Sequence, residues 1–66
     1  MVERTKIGKT LRALRGDRTR KQVADILHIS TSALAMYERG QRMPRDEVKI
    51  RMSEYYGKSV QEIFFK

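Results

Sequence analysis

The chain has 66 residues, a formal net charge of +7 and no cysteine. This length leads us to expect one small domain over residues 1–66, with no room for a second. The missing cysteines exclude a disulfide framework and a thiolate metal site, and the basic excess favours a polyanionic partner.

The first predicted helix has one apolar face and ends at a glycine. Ile7, Leu11 and Leu14 recur at helical spacing, and Gly16 suits the residue that follows a helix. Residues 1–22 hold eight basic and two acidic residues, a net charge of +6. Such a cluster is often only a solvated surface, but its position beside the next predicted helix favours contact with phosphates.

Two short helices joined by a tight turn are predicted next. Thr19 followed three residues later by Gln22 is a capping-box pattern, which predicts a helix from about Arg20 to Leu27. Ser30 is a second N-cap candidate and predicts a helix from about Thr31 to Arg39.

The linker between these two helices is very short. Only His28 and Ile29 stand between Leu27 and the second cap, so the helices should cross steeply, as in a helix-turn-helix. We expect His28 to be a turn residue at positive φ, which His adopts more often than most residues. It has no partner at metal-ligand spacing, so no metal site is predicted. The motif and the basic charge together indicate DNA binding.

Two further helices complete the predicted fold. Pro44 suits the first position of helix 4, and Gly57 suits its end. Ser59 and Glu62 form another capping-box pattern, which predicts a short final helix. Because no strand pattern is present, the sequence predicts an all-α fold of five helices.

The third predicted helix offers candidates for base contacts. Leu34 and Tyr37 form its inward pair, and Gly40 should end it. The side chains left to face bases are short and make no two-pronged pairing, which predicts a soft base code. They are Thr31, Ser32, Ala35 and Met36, which could equally be ordinary surface residues.

Basic side chains around the motif are candidates for stronger contacts. A guanidinium binds phosphate or guanine through a two-pronged fork, and we select Arg42 for a base contact. The alternative is solvent exposure with a weak pairing, such as Arg39 to Glu38. We interpret Glu38 as holding the loop from Gln41 to Pro44 through a hydrogen bond or ion pair. The expected contacts to the DNA backbone are Arg18, Thr19, Arg20, Lys21 and Arg39.

Four aromatic residues lie near the C-terminus, at positions 55, 56, 64 and 65. Core packing explains most of them, but they exceed what one short helix should hide, so a self-association patch is a further hypothesis. The basic, groove-facing side would repel itself, which leaves the apolar C-terminal segment for a dimer contact. The predicted contact residues are Val60, Ile63, Phe64 and Phe65.

The segment from Thr19 to Pro44 resembles the Cro/repressor-type helix-turn-helix family, also called the XRE family of bacterial and phage regulators. Two positions differ from the family pattern: Arg20 replaces the usual glutamine, and His28 replaces the turn glycine. The residues that carry the resemblance are Thr19, Val23, Ala24, Ile29, Ser30, Leu34, Tyr37, Glu38, Gly40 and Pro44.

The resemblance extends through the last two predicted helices and so covers nearly the whole chain. It implies a compact, five-helix, lambda-repressor-like DNA-binding domain, with helix 3 facing bases and Arg42 at a position that often reaches DNA. It also implies homodimers on two-fold-symmetric operators, commonly formed through the C-terminal helices. The replacement of glutamine by Arg20 shifts the expected role of that position toward phosphate contact alone.

The leading hypothesis is a sequence-specific transcriptional regulator, a repressor of phage or mobile-element type, that binds an inverted-repeat operator in double-stranded DNA. The alternative is an antitoxin-like or accessory module that binds another protein through its apolar C-terminal face. No nucleophile, base and orienting group can be named, so no catalysis is expected, and neither a cofactor nor a small-molecule ligand is predicted.

The sequence also bears on location. No apolar run approaches the roughly 20 residues that a membrane helix needs, and the first five residues lack the apolar region of a signal peptide. We therefore expect a cytoplasmic protein that does not contact a membrane.

Overall fold

The computed structural model describes residues 3–65, and in that range it contains five helices and no strand. The all-α, five-helix prediction is therefore confirmed, while residues 1, 2 and 66 of the predicted domain lie outside the described residues. The helices are α1 (Arg4–Arg15), α2 (Arg20–Leu27), α3 (Thr31–Glu38), α4 (Asp46–Tyr56) and α5 (Val60–Phe64).

The predicted N-caps are present. Gln22 N donates to Thr19 Oγ1 at 3.1 Å, and Thr19 N donates to Gln22 Oε1 at 3.0 Å, which completes the capping box of α2. Ser59 and Glu62 make the same reciprocal pair at the start of α5. At α3, Ser30 Oγ accepts from the backbone N–H of Ala33 at 3.0 Å. These bonds satisfy backbone donors that a helix start would otherwise leave free.

The tight turn between α2 and α3 depends on a left-handed residue. His28 has φ 58° and ψ 42°, as predicted. The N–H of His28 donates to Asp25 O at 3.3 Å, and that of Ile29 donates to Ala24 O at 3.0 Å. This pairing is the Schellman motif, which ends a helix and turns the chain sharply.

Two predicted boundaries are wrong. Helix α3 ends at Glu38, one residue earlier than expected, because Arg39 and Gly40 form the closing turn. Helix α4 begins at Asp46 and not at Pro44. Arg45 has extended backbone angles, and its carbonyl accepts the first helical bonds from residues 48 and 49, which makes it the N-cap.

The core draws on all five helices. Helix α1 packs on α3 and α5, and α2 packs on α3 and α4. Gly8 allows α1 to approach α3 closely, since a Cβ atom there would lie 2.3 Å from the carbonyl oxygen of Glu38. The buried apolar residues are Ile7, Leu11, Val23, Ala24, Leu27, Leu34, Tyr37, Val48, Met52, Ile63 and Phe64.

Candidate nucleic-acid interface

Helix α3 presents different residues to the core and to solvent. Leu34 and Tyr37 are buried, which confirms the predicted inward pair. Thr31 and Ser32 are exposed, and Ala35 and Met36 are partly exposed. The four predicted base-facing side chains therefore remain accessible on the outer side of this helix.

A buried carboxylate lies at the C-terminal end of α3. The Glu38 side chain has no exposed surface. It accepts hydrogen bonds from Arg15 Nε at 2.8 Å, from Arg15 Nη2 at 3.2 Å and from Arg20 Nε at 2.9 Å. This corrects both earlier interpretations of Glu38: it neither holds the loop from Gln41 to Pro44 nor pairs with Arg39, but links α3 to α1 and α2.

Arg18, a predicted phosphate contact, is already engaged at the end of α1. Its guanidinium donates to the carbonyl oxygens of Leu14 at 2.7 Å and Arg15 at 3.0 Å, and to the hydroxyl of Tyr55. The same group lies 4.9 Å from the centre of the Tyr55 ring, a cation–π contact. A phosphate contact from Arg18 stays a prediction and would have to share these donors.

Other predicted backbone contacts are more accessible. Among the described residues, 3–65, Lys21 pairs only with Asp25, at 3.3 Å on its own helix, and this exposed pair contributes little to stability. Arg39 and Arg42 are exposed, and within residues 3–65 no ion pair holds either of them. The Thr19 hydroxyl already caps α2.

The structure divides the predicted dimer residues into two groups. Ile63 and Phe64 are buried, with 3% and 1% of their surface exposed, so they belong to the core and are not available to a partner. Val60 is partly exposed, and Phe65 is 51% exposed. Ile50 is 53% exposed, and the three accessible residues line one surface depression together with Asp46 and Lys49.

Comparison with known families identifies the motif. Residues 9–63 match the sequence model described as helix-turn-helix, which covers most of the chain. The chain belongs to the helix-turn-helix family. The match is to the XRE, or Cro/repressor, type, so the resemblance found in the sequence is confirmed. Membership makes the protein a sequence-specific DNA-binding transcription regulator. Searches of curated proteins and of solved structures gave no match.

In this helix-turn-helix, α2 and α3 are the paired helices, and sequence reasoning missed the ion pairs by which Glu38 joins α3 to α1 and to α2. Arg15 has no separate role in the prediction from the sequence, and Arg20 is predicted only as a phosphate contact. One signal was available, since Glu38 is the single acidic residue between Asp25 and Asp46. An isolated acid in a basic segment often marks a buried pair, because an unpaired buried charge is costly.

Tyr56 is a second feature that the sequence did not indicate. Its hydroxyl is buried and, within residues 3–65, has no hydrogen-bond partner. Burial, with a smaller contribution from the negative charge of Glu38, raises the pKa of Tyr56 from 10.0 to about 12. The phenol therefore stays protonated well above neutral pH.

Metal and membrane sites were also sought in the described part of the chain. No group of three or more His, Asp or Glu side chains in residues 3–65 is placed to hold a metal ion. In the same range, no helix has both the length and the apolar character that crossing a bilayer requires.

Proposed function

We propose that this helix-turn-helix protein is a transcriptional repressor of phage or mobile-element type that binds an operator with α3 in the major groove. The observation that carries the proposal is the outer side of α3, where small accessible side chains lie next to two arginines that no carboxylate in residues 3–65 neutralises. A helix with this surface fits a groove lined with phosphates. The proposed site of action is the cytoplasm.

In this proposal, base contacts come from α3 and from the loop after it. Hydroxyl and methyl groups of α3 contact base edges and thymine methyls, which gives a tolerant base code. Arg42 contributes the selective contact, because it is exposed and no ion pair within residues 3–65 holds its guanidinium, which can bind a guanine edge through two hydrogen bonds. The α3 residues are Thr31, Ser32, Ala35 and Met36.

The proposed backbone contacts surround this surface. Each neutralised phosphate releases counterions, which makes binding dependent on salt and not on sequence. Lys21 and Arg39 are exposed, while Arg18 and Arg20 already bind protein groups. The full set is Arg18, Thr19, Arg20, Lys21 and Arg39.

We infer that two copies bind one operator. A single short helix with small side chains reads too few base pairs for useful selectivity, and two copies double the site. Two recognition helices one turn of B-DNA apart, roughly 34 Å, require an inverted repeat with half-sites about 10 bp apart. The accessible apolar surface of Ile50, Val60 and Phe65 is the proposed contact. Asp46 and Lys49 beside it carry opposite charges, which suits a two-fold interface where each opposes the other.

The proposal is tested by DNA binding at several salt concentrations. Duplexes selected from a random pool should give an inverted repeat, and log Kd should change with log salt by about 0.9 for each phosphate contacted. Arg42→Ala should relax preference at one position and cost about 1–3 kcal/mol there. Lys58→Ala, an exposed cation between α4 and α5, is the control and should not change base preference. A wild-type protein whose binding is independent of salt would contradict the proposal.

A protein-binding module is the second candidate, and the exposed side chains of Ile50 and Phe65 favour it. A module of this kind would retain its partner in pull-downs treated with nuclease. A DNA-bound repressor would lose co-purifying material under the same treatment. The two functions therefore give opposite results in one experiment.

A further inference from the structure

The buried cluster at the end of α3 holds two guanidinium groups on one carboxylate. The Glu38 side chain has no exposed surface, that of Arg15 is 16% exposed, and that of Arg20 is 30% exposed. The three groups together carry a charge of +1, so one cation is not fully balanced. Because a net charge in a partly buried setting is less screened than in bulk water, this positive excess favours an anion at the exposed side of the cluster.

The two arginines use Glu38 differently. Arg15 binds it through both Nε and Nη2, one nitrogen to each carboxylate oxygen, and also donates from Nη1 to Arg18 O at 2.7 Å. Arg20 binds it through Nε alone, at 2.9 Å. Within residues 3–65 this is the single hydrogen bond of the Arg20 side chain, which leaves its two terminal nitrogens for another acceptor. Arg15 thus anchors the carboxylate, and Arg20 is the member that can take a further anion.

We propose that Glu38 is a positioning residue for DNA binding: it holds Arg20 by Nε so that the two terminal nitrogens bind a backbone phosphate. The phosphate supplies the second negative charge that the cluster lacks. Because the Arg20 side chain is already ordered by Glu38, less conformational entropy is lost on binding. This inference rests on the proposed function, since it assigns a role within the same DNA surface.

A positioning role and a purely electrostatic role for Glu38 predict opposite changes in DNA affinity when Glu38 is replaced. If Glu38 were only an acid near the DNA, Glu38→Gln would remove a negative charge and tighten binding. If Glu38 positions Arg20, the same substitution releases the guanidinium and weakens binding, by roughly three- to tenfold. The direction of the change therefore separates the two roles.

The experiment measures the affinity of the full chain for a mixed-sequence double-stranded DNA over a series of salt concentrations, since phosphate contacts do not depend on sequence. Arg20→Gln should weaken binding at low salt and reduce the slope of log Kd against log salt by about 0.9, the value for one phosphate. Arg20→Lys keeps the charge but has no Nε to bind Glu38, so it should keep the slope and still lose roughly three- to tenfold in affinity.

A double-mutant cycle measures the coupling between Glu38 and Arg20 in DNA binding. Glu38→Gln should weaken binding in the wild-type background and have no such effect when Arg20 is already Gln. Lys21→Gln is the matched control, because it removes an equivalent charge from a residue that does not touch Glu38. Its effect should add to that of Glu38→Gln.

Several results would overturn the inference. Tighter binding by a folded Glu38→Gln variant, or wild-type affinity in Arg20→Lys, would show that Glu38 does not position Arg20. If Glu38→Gln unfolds, as loss of helical circular dichroism would reveal, Arg20→Lys decides, because it leaves the Arg15–Glu38 pair in place. Wild-type protein with steep salt dependence but no effect of either Arg20 variant would refute this inference alone. Absence of salt-dependent binding in the wild type would refute the proposed function as well.

Discussion

Gly8 lies where α1 crosses α3, and the lack of a side chain there sets how closely the two helices approach. A Cβ atom would lie 2.3 Å from the carbonyl oxygen of Glu38 and 3.0 Å from that of Tyr37, and both atoms belong to rigid backbone. The distance between α1 and α3 therefore depends on the absence of a side chain at this one residue. It also keeps α1 near Glu38, whose carboxylate Arg15 binds from the same helix.

Gly8→Ala should lower the free energy of unfolding by about 1–3 kcal/mol, because the methyl group forces the helices apart. Helix propensity alone predicts the opposite, a gain of about 1 kcal/mol. Urea unfolding, monitored by circular dichroism, measures the sign of this change in the free energy of unfolding. Thr10→Ala, at an exposed position of the same helix, is the control and should stay within about 0.5 kcal/mol of the wild type. A Gly8→Ala variant more stable than the wild type would contradict the close approach.

Tyr56 gives the protein an expected response to alkaline pH. Its pKa is 10.0 in its ordinary state and about 12 in the fold, mainly because of burial. Between these values the unfolded chain loses the phenolic proton and the folded chain keeps it. The contribution to stability is therefore complete below the unfolded pKa and is lost as pH rises through this window.

Tyr56→Phe should flatten the fall in unfolding free energy between the two pKa values, because the titrating group is gone. It should cost little at neutral pH, since the hydroxyl has no partner within residues 3–65. Urea unfolding at a series of pH values gives the measurement. Tyr55→Phe removes a neighbouring phenol and should retain the steeper fall. Equal slopes for wild type and Tyr56→Phe would show that this phenol does not hold its proton.

At the scale of elements, features that depend on residues close together in the sequence could be predicted, and features that depend on distant residues could not. The capping boxes at Thr19 and Ser59 and the turn at His28 were predictable, because each depends on residues within a few positions. The start of α4 was not, because Pro44 is buried before the helix instead of opening it. The partner of Glu38 was also hidden, since Arg15 lies 23 residues away in the chain.

In the candidate site, too, positions set by local helical spacing could be predicted, whereas positions set by packing between helices could not. The outward positions of α3 follow from helical spacing once Leu34 and Tyr37 are taken as inward. The burial of Phe64 and exposure of Phe65 do not, since both are large aromatic residues next to each other in a five-residue helix and its cap. Which of the two faces the core depends on how α5 packs against α1 and α4.

His28→Gly should raise the free energy of unfolding by about 1 kcal/mol, because glycine adopts the left-handed conformation without steric cost. His28→Ala should instead lower it slightly, since alanine lacks the tolerance of histidine for positive φ. Thermal unfolding of the two variants provides the comparison at one position. If alanine stabilised the protein as much as glycine, the turn would not have the geometry observed at His28, φ 58°.

At the scale of the whole molecule, the proposed DNA contacts and the proposed dimer contacts lie on different elements. The exposed Arg39 and Arg42 follow α3 in the chain, whereas the exposed apolar residues Ile50 and Phe65 belong to α4 and to the C-cap of α5. Lys49 contacts aromatic residues at the C-terminal end of the chain. Its Nζ lies 5.5 Å from the centre of the Phe64 ring and 5.2 Å from that of Phe65. The Lys49 side chain is only 14% exposed, so its ammonium group itself lies against the aromatic rings, as in a cation–π contact.

Phe65→Ser should lower operator affinity and cooperativity while leaving helical content nearly intact, because this side chain is half exposed in the protomer. Sedimentation with and without operator DNA measures the dimer fraction. Ile26→Ser is the matched control, since Ile26 is also about half exposed, at 50%, but lies on α2. An unchanged dimer fraction in Phe65→Ser would remove this residue from the interface, and an unfolded variant would place it in the core.

The outer side of α3 has a consequence for how such a regulator evolves. Thr31 and Ser32 are exposed, so their replacement disturbs little packing and should change the free energy of unfolding by only about 0.5 kcal/mol or less. Preference for a new operator can then arise through single substitutions that selection for folding does not remove. The cluster around Glu38 behaves differently, because loss of Glu38 leaves the Arg15 and Arg20 guanidinium groups without the carboxylate that they share. If α3 reads the operator as proposed, variants of this chain should change their DNA preference through Thr31 and Ser32 while they retain Glu38.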